Sequence, residues 1–175
     1  EKGRLERLAQ QQRADQAVKE ERARVEAAMK ASREAETAAR LKQLVARGKQ
    51  QMAQQEFAEA QGTFQTAMTL HGSDEVNAEL DDLFHEAHDC REASELAAEA
   101  ELFIEMESPK LAVQRLEDAL SFVPNNRFLL DKYTKALADA QEAVAQLEAR
   151  EKAEEEELER QHEEELRLEQ ELQLF

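Results

Sequence analysis

The sequence predicts an all-α fold, and three observations carry that prediction. Gly and Pro together number six (four and two) in 175 residues, where average usage gives roughly twenty. Sheets need turns, and turns are built from Gly, Pro, Asn and Asp. Good helix formers (Ala, Glu, Gln, Leu, Lys and Arg) dominate the chain. Through the central part, apolar residues recur every three or four positions, the period of a helix with one buried face. Charged residues make up 36% of the chain and aromatics 5%, with no Trp. So little apolar material favours an elongated helical shape over a compact core of this length.

Gly and Pro stand at 3, 48, 62, 72, 109 and 124, and leave 4–47, 73–108 and 125–175 uninterrupted. Each of these stretches reads as one long helix, and the punctuating residues are taken as the turns. Five helices result. The first covers about 3–54, with Leu41, Leu44, Val45 and Met52 facing inward. The second, about 57–71, buries Phe57, Ala60, Phe64, Ala67 and Met68. Gly72 stops it, and Ser73-Asp74-Glu75 starts the third. The third runs over 74–107 and buries Val76, Leu80, Leu83, Ala87, Cys90, Ala97, Ala100 and Ile104. Ser108-Pro109 places a capping Ser before a Pro suited to the first helical position. The fourth helix, 109–122, buries Leu111, Ala112, Leu116 and Leu120. Pro124-Asn125-Asn126 opens the fifth, 126–174, which buries Leu130, Tyr133, Leu137, Ala140, Val144 and Leu147.

The ends are thinner in apolar residues, which divides the chain into an N-terminal arm (1–40), a helical centre (41–147) and an acidic C-terminal arm (148–175). The first arm carries a seam of Ala14, Val18, Val25, Ala28, Ala35 and Ala39, interrupted by Glu21 and Ser32. The last carries Leu158, Leu166, Leu168 and Leu172 without a strict heptad. It also holds acid-to-base pairs four residues apart, such as Glu156/Arg160 and Glu163/Arg167, each worth roughly 0.2–0.5 kcal/mol.

The net charge of −17 is unevenly spread. Residues 1–47 hold 12 Lys+Arg and 8 Asp+Glu, a net of +4; 48–126 hold 4 and 17, a net of −13; 127–175 hold 7 and 15, a net of −8. The acidic centre makes nucleic acid and membrane surfaces poor partners. No run of apolar residues is long enough to span a membrane. The single Cys90 excludes an internal disulfide, and the compartment defaults to the cytoplasm. The start at Glu1 reads as a piece of a longer protein, so the lack of a visible leader carries little weight.

Chemistry is scarce. No phosphate loop, nucleophile elbow or dinucleotide fingerprint occurs, so neither an enzyme nor a small-molecule substrate is expected. His85, His88 and Cys90, with Asp81, Asp82 and Asp89, form the one cluster with metal-ligand chemistry. A site of that kind needs matching ligands on facing helices, which His71 and His162 do not supply. The cluster is read as a solvated polar face, with no metal and no cofactor. Asp89 and Glu92 beside Cys90 work against a reactive thiol, so Cys90 is read as a small core residue.

One internal repeat stands out. Ala60, Phe64, Ala67 and Leu70 align with Ala112, Leu116, Ala119 and Phe122 at a constant offset of 52. Their spacing, closed by Gly72 and Pro124, resembles the second helix of a tetratricopeptide repeat. Leu44, Gly48 and Phe57, then Leu96, Ala100 and Phe103, match the rest of the unit, while Arg47, Gln51 and Glu99 depart from it. The resemblance covers about 41–74 and 93–126. It implies two helical hairpins joined by a long helix, and a short groove for a partner peptide lined by Lys42, Val45, Lys49 and Met52, then Ala97, Glu101, Ile104 and Glu105. The family's carboxylate clamp is not reproduced, since Val45 and Lys49 occupy its first-unit positions. The 18 residues in excess of a 34-residue repeat are five turns of helix, about 27 Å. The second hairpin is then expected further along the axis, in a rod of roughly 160 Å.

The expected function follows from charge and seams. A basic arm and an acidic arm suit head-to-tail contacts between copies, which generate rings or filaments. Val18, Val25, Leu158, Leu166 and Leu172 would carry them. The expectation is a non-enzymatic, self-assembling scaffold whose partners are proteins or further copies. The alternative is an adaptor that binds a partner in the repeat groove.

Overall fold

Five α-helices, α1 Lys2–Ala53, α2 Phe57–Met68, α3 Asp74–Glu105, α4 Pro109–Phe122 and α5 Arg127–Gln173, make up the computed structural model. It describes residues 2–174, and no strand occurs among them. Glu1 and Phe175, the outermost residues of the two expected arms, lie outside the described residues. The chain divides into two compact units, Glu1–Ala87 and His88–Phe175. The division falls inside α3, which is helical without interruption through its polar stretch at His88–Ser94.

In the first unit α1 and α2 pack as an antiparallel hairpin. Thr63 Oγ1 donates to Gln51 Oε1 at 2.7 Å, and the Phe64 ring lies against Gly48. The start of α3 runs alongside α1 in the same direction, with Lys49 Nζ bonded to Glu79 Oε1 at 2.7 Å. Leu41, Ala60, Phe64, Ala67, Leu80 and Ala87 form the core. Its Ala residues let the helices approach closely while Phe64 and Leu80 supply most of the buried apolar surface.

The second unit repeats this plan. The second half of α3 and α4 are antiparallel, with Arg115 Nε 2.9 Å from Glu99 Oε2. Helix α5 packs antiparallel to α4, and Lys110 Nζ reaches Glu148 Oε1 at 3.0 Å. Ala100, Ala112, Leu116 and Ala140 form the core, with Ala97, Phe103, Val113, Ala136 and Leu137 packed against it.

The offset of 52 reappears in the backbone. At the end of α1, Glu56 N–H donates to Gln51 O and Gln55 N–H to Met52 O; at the end of α3, Ser108 N–H donates to Phe103 O and Glu107 N–H to Ile104 O. Both are Schellman closures, which need a left-handed residue. Gln55 (φ 62°) and Glu107 (φ 54°) fill that place where Gly would be unstrained. Replacing either by Gly is therefore expected to raise stability by about 0.5–1 kcal/mol, the left-handed penalty less the extra entropy of Gly. Chemical denaturation of each variant measures it.

Several sequence expectations need correction. Gly48 and Gly62, counted among the punctuating residues although the expected bounds 3–54 and 57–71 enclose them, lie inside α1 and α2. Gly62 has open space around it, whereas a Cβ at Gly48 would collide with the Phe64 ring. Leu129, not Leu130, is the deeply buried residue at the start of α5, since it lies one turn before the buried Tyr133 on the same face. Leu111 and Ile104 are exposed: Leu111 lies one position off the buried face of Ala112 and Leu116, and Ile104 lines an open depression between α3 and α5. Phe122, aligned with Leu70, is also exposed. Ser108 does not cap α4 through its side chain and donates instead to Met106 O. Asn126 does cap α5, its Oδ1 accepting from Leu129 N–H at 3.1 Å.

Candidate interaction surfaces

Each unit carries a groove between two helices that run the same way. In the first unit it lies between α1, the start of α3 and the turn before it. Leu41, Val45, Leu70 and Val76 provide apolar walls, and the volume is about 600 Å³. Its charged rim is balanced, Arg33 and Lys42 against Glu34 and Glu79. Of the expected groove residues, Lys42 and Val45 line it. Lys49 is instead ion-paired with Glu79, and Met52 packs half-buried against the core.

In the second unit a groove of about 590 Å³ lies between α3 and α5, and Ala97, Glu101, Ile104 and Glu105 all line it. Its other wall was not legible from the repeat: Lys132, Tyr133, Ala136, Asp139, Ala140 and Ala143 of α5 face the α3 residues. The floor is largely Ala, and the rim is acidic, with Glu101, Glu105 and Asp139 against Lys132. The Lys132 ammonium lies 5.9 Å from the centre of the Tyr133 ring, within cation–π range. A smaller depression lined by Glu107, Gln146, Leu147 and Arg150 shares Ile104 and Ala143 with this groove and so prolongs it.

The second unit also holds an ion-pair cluster local to α3, one ion pair between α4 and α5, and a buried phenol. Arg91 donates to Glu92 at 2.7 Å and lies 3.5 Å from Glu95. That hydrogen bond holds the Glu92 carboxyl below its ordinary value of 4.5. The bond from Lys110 to Glu148 raises the Lys110 ammonium above its ordinary value of 10.5. Burial raises Tyr133 above 10.0, and its bond to Ser94 partly counters this. Cys90 is buried and accepts from Asn126 Nδ2 at 3.5 Å.

The arms are the most exposed parts of the chain. From residue 2 to 36 every side chain is exposed; Thr37 is half-buried and Leu41 is the first to be buried. On α5 the last half-buried residue is Leu147, and all of 148–174 is exposed. Val18 is 52% exposed, Val25 48% and Met29 55%; Leu158 is 66% exposed, Leu166 44% and Leu172 76%.

The histidine-rich stretch of α3 makes local contacts. His85 Nδ1 lies 2.7 Å from Asp81 O, and its ring meets Phe84 edge-on. Among the described residues no three His, Cys, Asp or Glu side chains converge as metal ligands. Nor is any helix among them long and apolar enough to cross a membrane. No protein family model matches the chain, and neither curated proteins nor solved structures give a significant match.

Proposed function

We propose that this chain is a non-enzymatic scaffold that self-associates through its helical arms, its partners being proteins and further copies of itself. One observation carries the proposal: both arms are long helices whose apolar side chains have no cover. Helices in water draw most of their stability from packing an apolar face, not from propensity. Val18 and Val25 share one face of α1 seven residues apart, with Met29 one turn beyond. Leu158, Leu168 and Leu172 recur along the acidic arm. A seam on each arm, with opposite net charge at the two ends of the sequence, suits helix–helix contacts between copies in which charge sets orientation.

The test is light scattering or sedimentation against protein concentration and salt. Mass should rise with concentration, and substitution of Val18 and Val25 by Asp should return the chain to a monomer. A strict monomer at high concentration, with both arms present, would overturn the proposal.

A second reading, a tetratricopeptide-like adaptor, is favoured by the grooves themselves. Support for repeat-like units comes from the antiparallel hairpin with a third parallel helix in each. It also comes from the small residue set opposite a large one, Gly48 with Phe64 and Ala100 with Leu116. In this reading Val45 and Ile104 contact the partner peptide, and their replacement abolishes its binding while leaving self-association unchanged.

A further inference from the structure

We propose that the groove between α3 and α5 of the second unit receives the α1 arm of another copy of this chain, through residues 22–33. This inference rests on arm-mediated self-association and names the surface that one arm engages.

Shape supports it first. The groove and its continuation run from Ser94 to Glu105 on α3, with Glu107 just beyond its end, and from Lys132 to Arg150 on α5. At 1.5 Å per residue the two walls are about 17 Å and 27 Å long, enough for the roughly 17 Å of a twelve-residue helical segment. The floor is mostly small, with Ala97, Ala100, Ala136, Ala140 and Ala143 beside Leu116 and Tyr133. A helix can therefore settle near the short end of ordinary interhelical distances, about 8–10 Å, provided its own face is also slim. The face led by Val25, Ala28 and Ser32 is slim, and Met29 at its edge is a flexible filler for an irregular floor. Val25 and Met29 are about half exposed in the chain.

Charge selects this arm and this groove. Residues 22–33 hold Arg22, Arg24, Lys30 and Arg33 against Glu26 alone. The groove rim holds Glu101, Glu105 and Asp139 against Lys132. The acidic arm would meet like charge here. The groove of the first unit has a balanced rim and offers the basic arm no preference. Opposed charge on rims of this kind steers encounter and register, while the apolar floor supplies the buried area.

Two experiments on the full chain test this. In the first, Val25→Cys protein is mixed with Glu101→Cys or Ile104→Cys protein under mild oxidation. Cys90 is 1% exposed and stays silent. A mixed disulfide-linked dimer is expected, since a disulfide needs Cα atoms within about 7 Å. In the second, Glu101→Lys with Asp139→Lys should weaken self-association about tenfold. Arg22→Glu with Arg24→Glu on the other copy should restore it. If the protein assembles but Val25→Cys pairs only with Leu166→Cys on the acidic arm, this inference falls and the scaffold proposal stands. Charge reversal without effect on assembly also overturns it, the groove then serving another partner. So does cross-linking confined within a single, doubly substituted chain. A strict monomer overturns both proposals together.

Discussion

Replacement of Phe64 by Ala is expected to destabilise the first unit by about 3–5 kcal/mol, a large part of the 5–15 kcal/mol that holds a domain together. Phe64 is fully buried. Its ring occupies the space that a side chain at position 48 would need: a Cβ on Gly48 would lie 2.6 Å from the ring Cζ. Alanine at 64 leaves a cavity in the cluster of Leu41, Ala60, Ala67 and Leu80, of which the two Ala are too small to fill it. The complementary variant, Gly48→Ala, forces the ring aside at about 1–3 kcal/mol, partly offset by roughly 1 kcal/mol of better helix propensity. The second unit shows how the same contact is otherwise solved: at the offset of 52, Ala100 replaces Gly and Leu116 replaces Phe, both buried in one core. Gly48→Ala combined with Phe64→Leu should therefore be more stable than the sum of the two single changes. Hydrogen exchange of the first unit and denaturation of all three variants measure the coupling. Strict additivity would show that the pair does not share the space.

Much of this architecture is written in residues whose effect is local. Gly72, Pro109 and Asn126 mark helix ends because they act on their own backbone, and the helix bounds follow to within a few residues. The buried faces are legible for the same reason: a 3.6-residue period in Ala60, Phe64 and Ala67 needs no knowledge of the partner helix. Where position depends on another element, sequence says less. Gly48 reads as a punctuator until Phe64 is seen pressed against it. Lys49 and Met52 belong to the repeat pattern, yet a cross-helix Glu79 and the core claim them. The α5 wall of the second groove was invisible because Ser94 and Tyr133, or Ala100 and Ala140, meet across about 40 residues of chain. No local spacing encodes that pairing. A usable signal does exist: Ala136, Ala140 and Ala143, with Lys132 and Asp139 near them in sequence, form a small-residue face edged by charge, facing a similar pair at Ala97 and Ala100.

In the second unit the corresponding loss is expected at Tyr133. Its replacement by Ala should cost about 3–5 kcal/mol, as for other large buried rings, because the side chain is 2% exposed and lies between α3 and α5. Tyr133→Phe keeps the ring and loses only the bond to Ser94, about 0.5–1.5 kcal/mol. The phenol adds a pH signature. Burial disfavours the phenolate, so the folded chain holds its proton above the ordinary value of 10.0. The unfolded chain releases that proton first as pH rises, so the contribution of Tyr133 is whole below pH 10 and is lost as pH climbs through the raised folded value. The chain has one Tyr and no Trp, so absorbance at the phenolate band reports this unit alone. The native titration should lag that of the unfolded chain and coincide with unfolding of the second unit. Tyr133→Phe should remove this component of the alkaline transition. A phenol that titrates at its ordinary value in the native protein would show instead that α3 and α5 admit water at this position, and that the groove floor beside it is not closed.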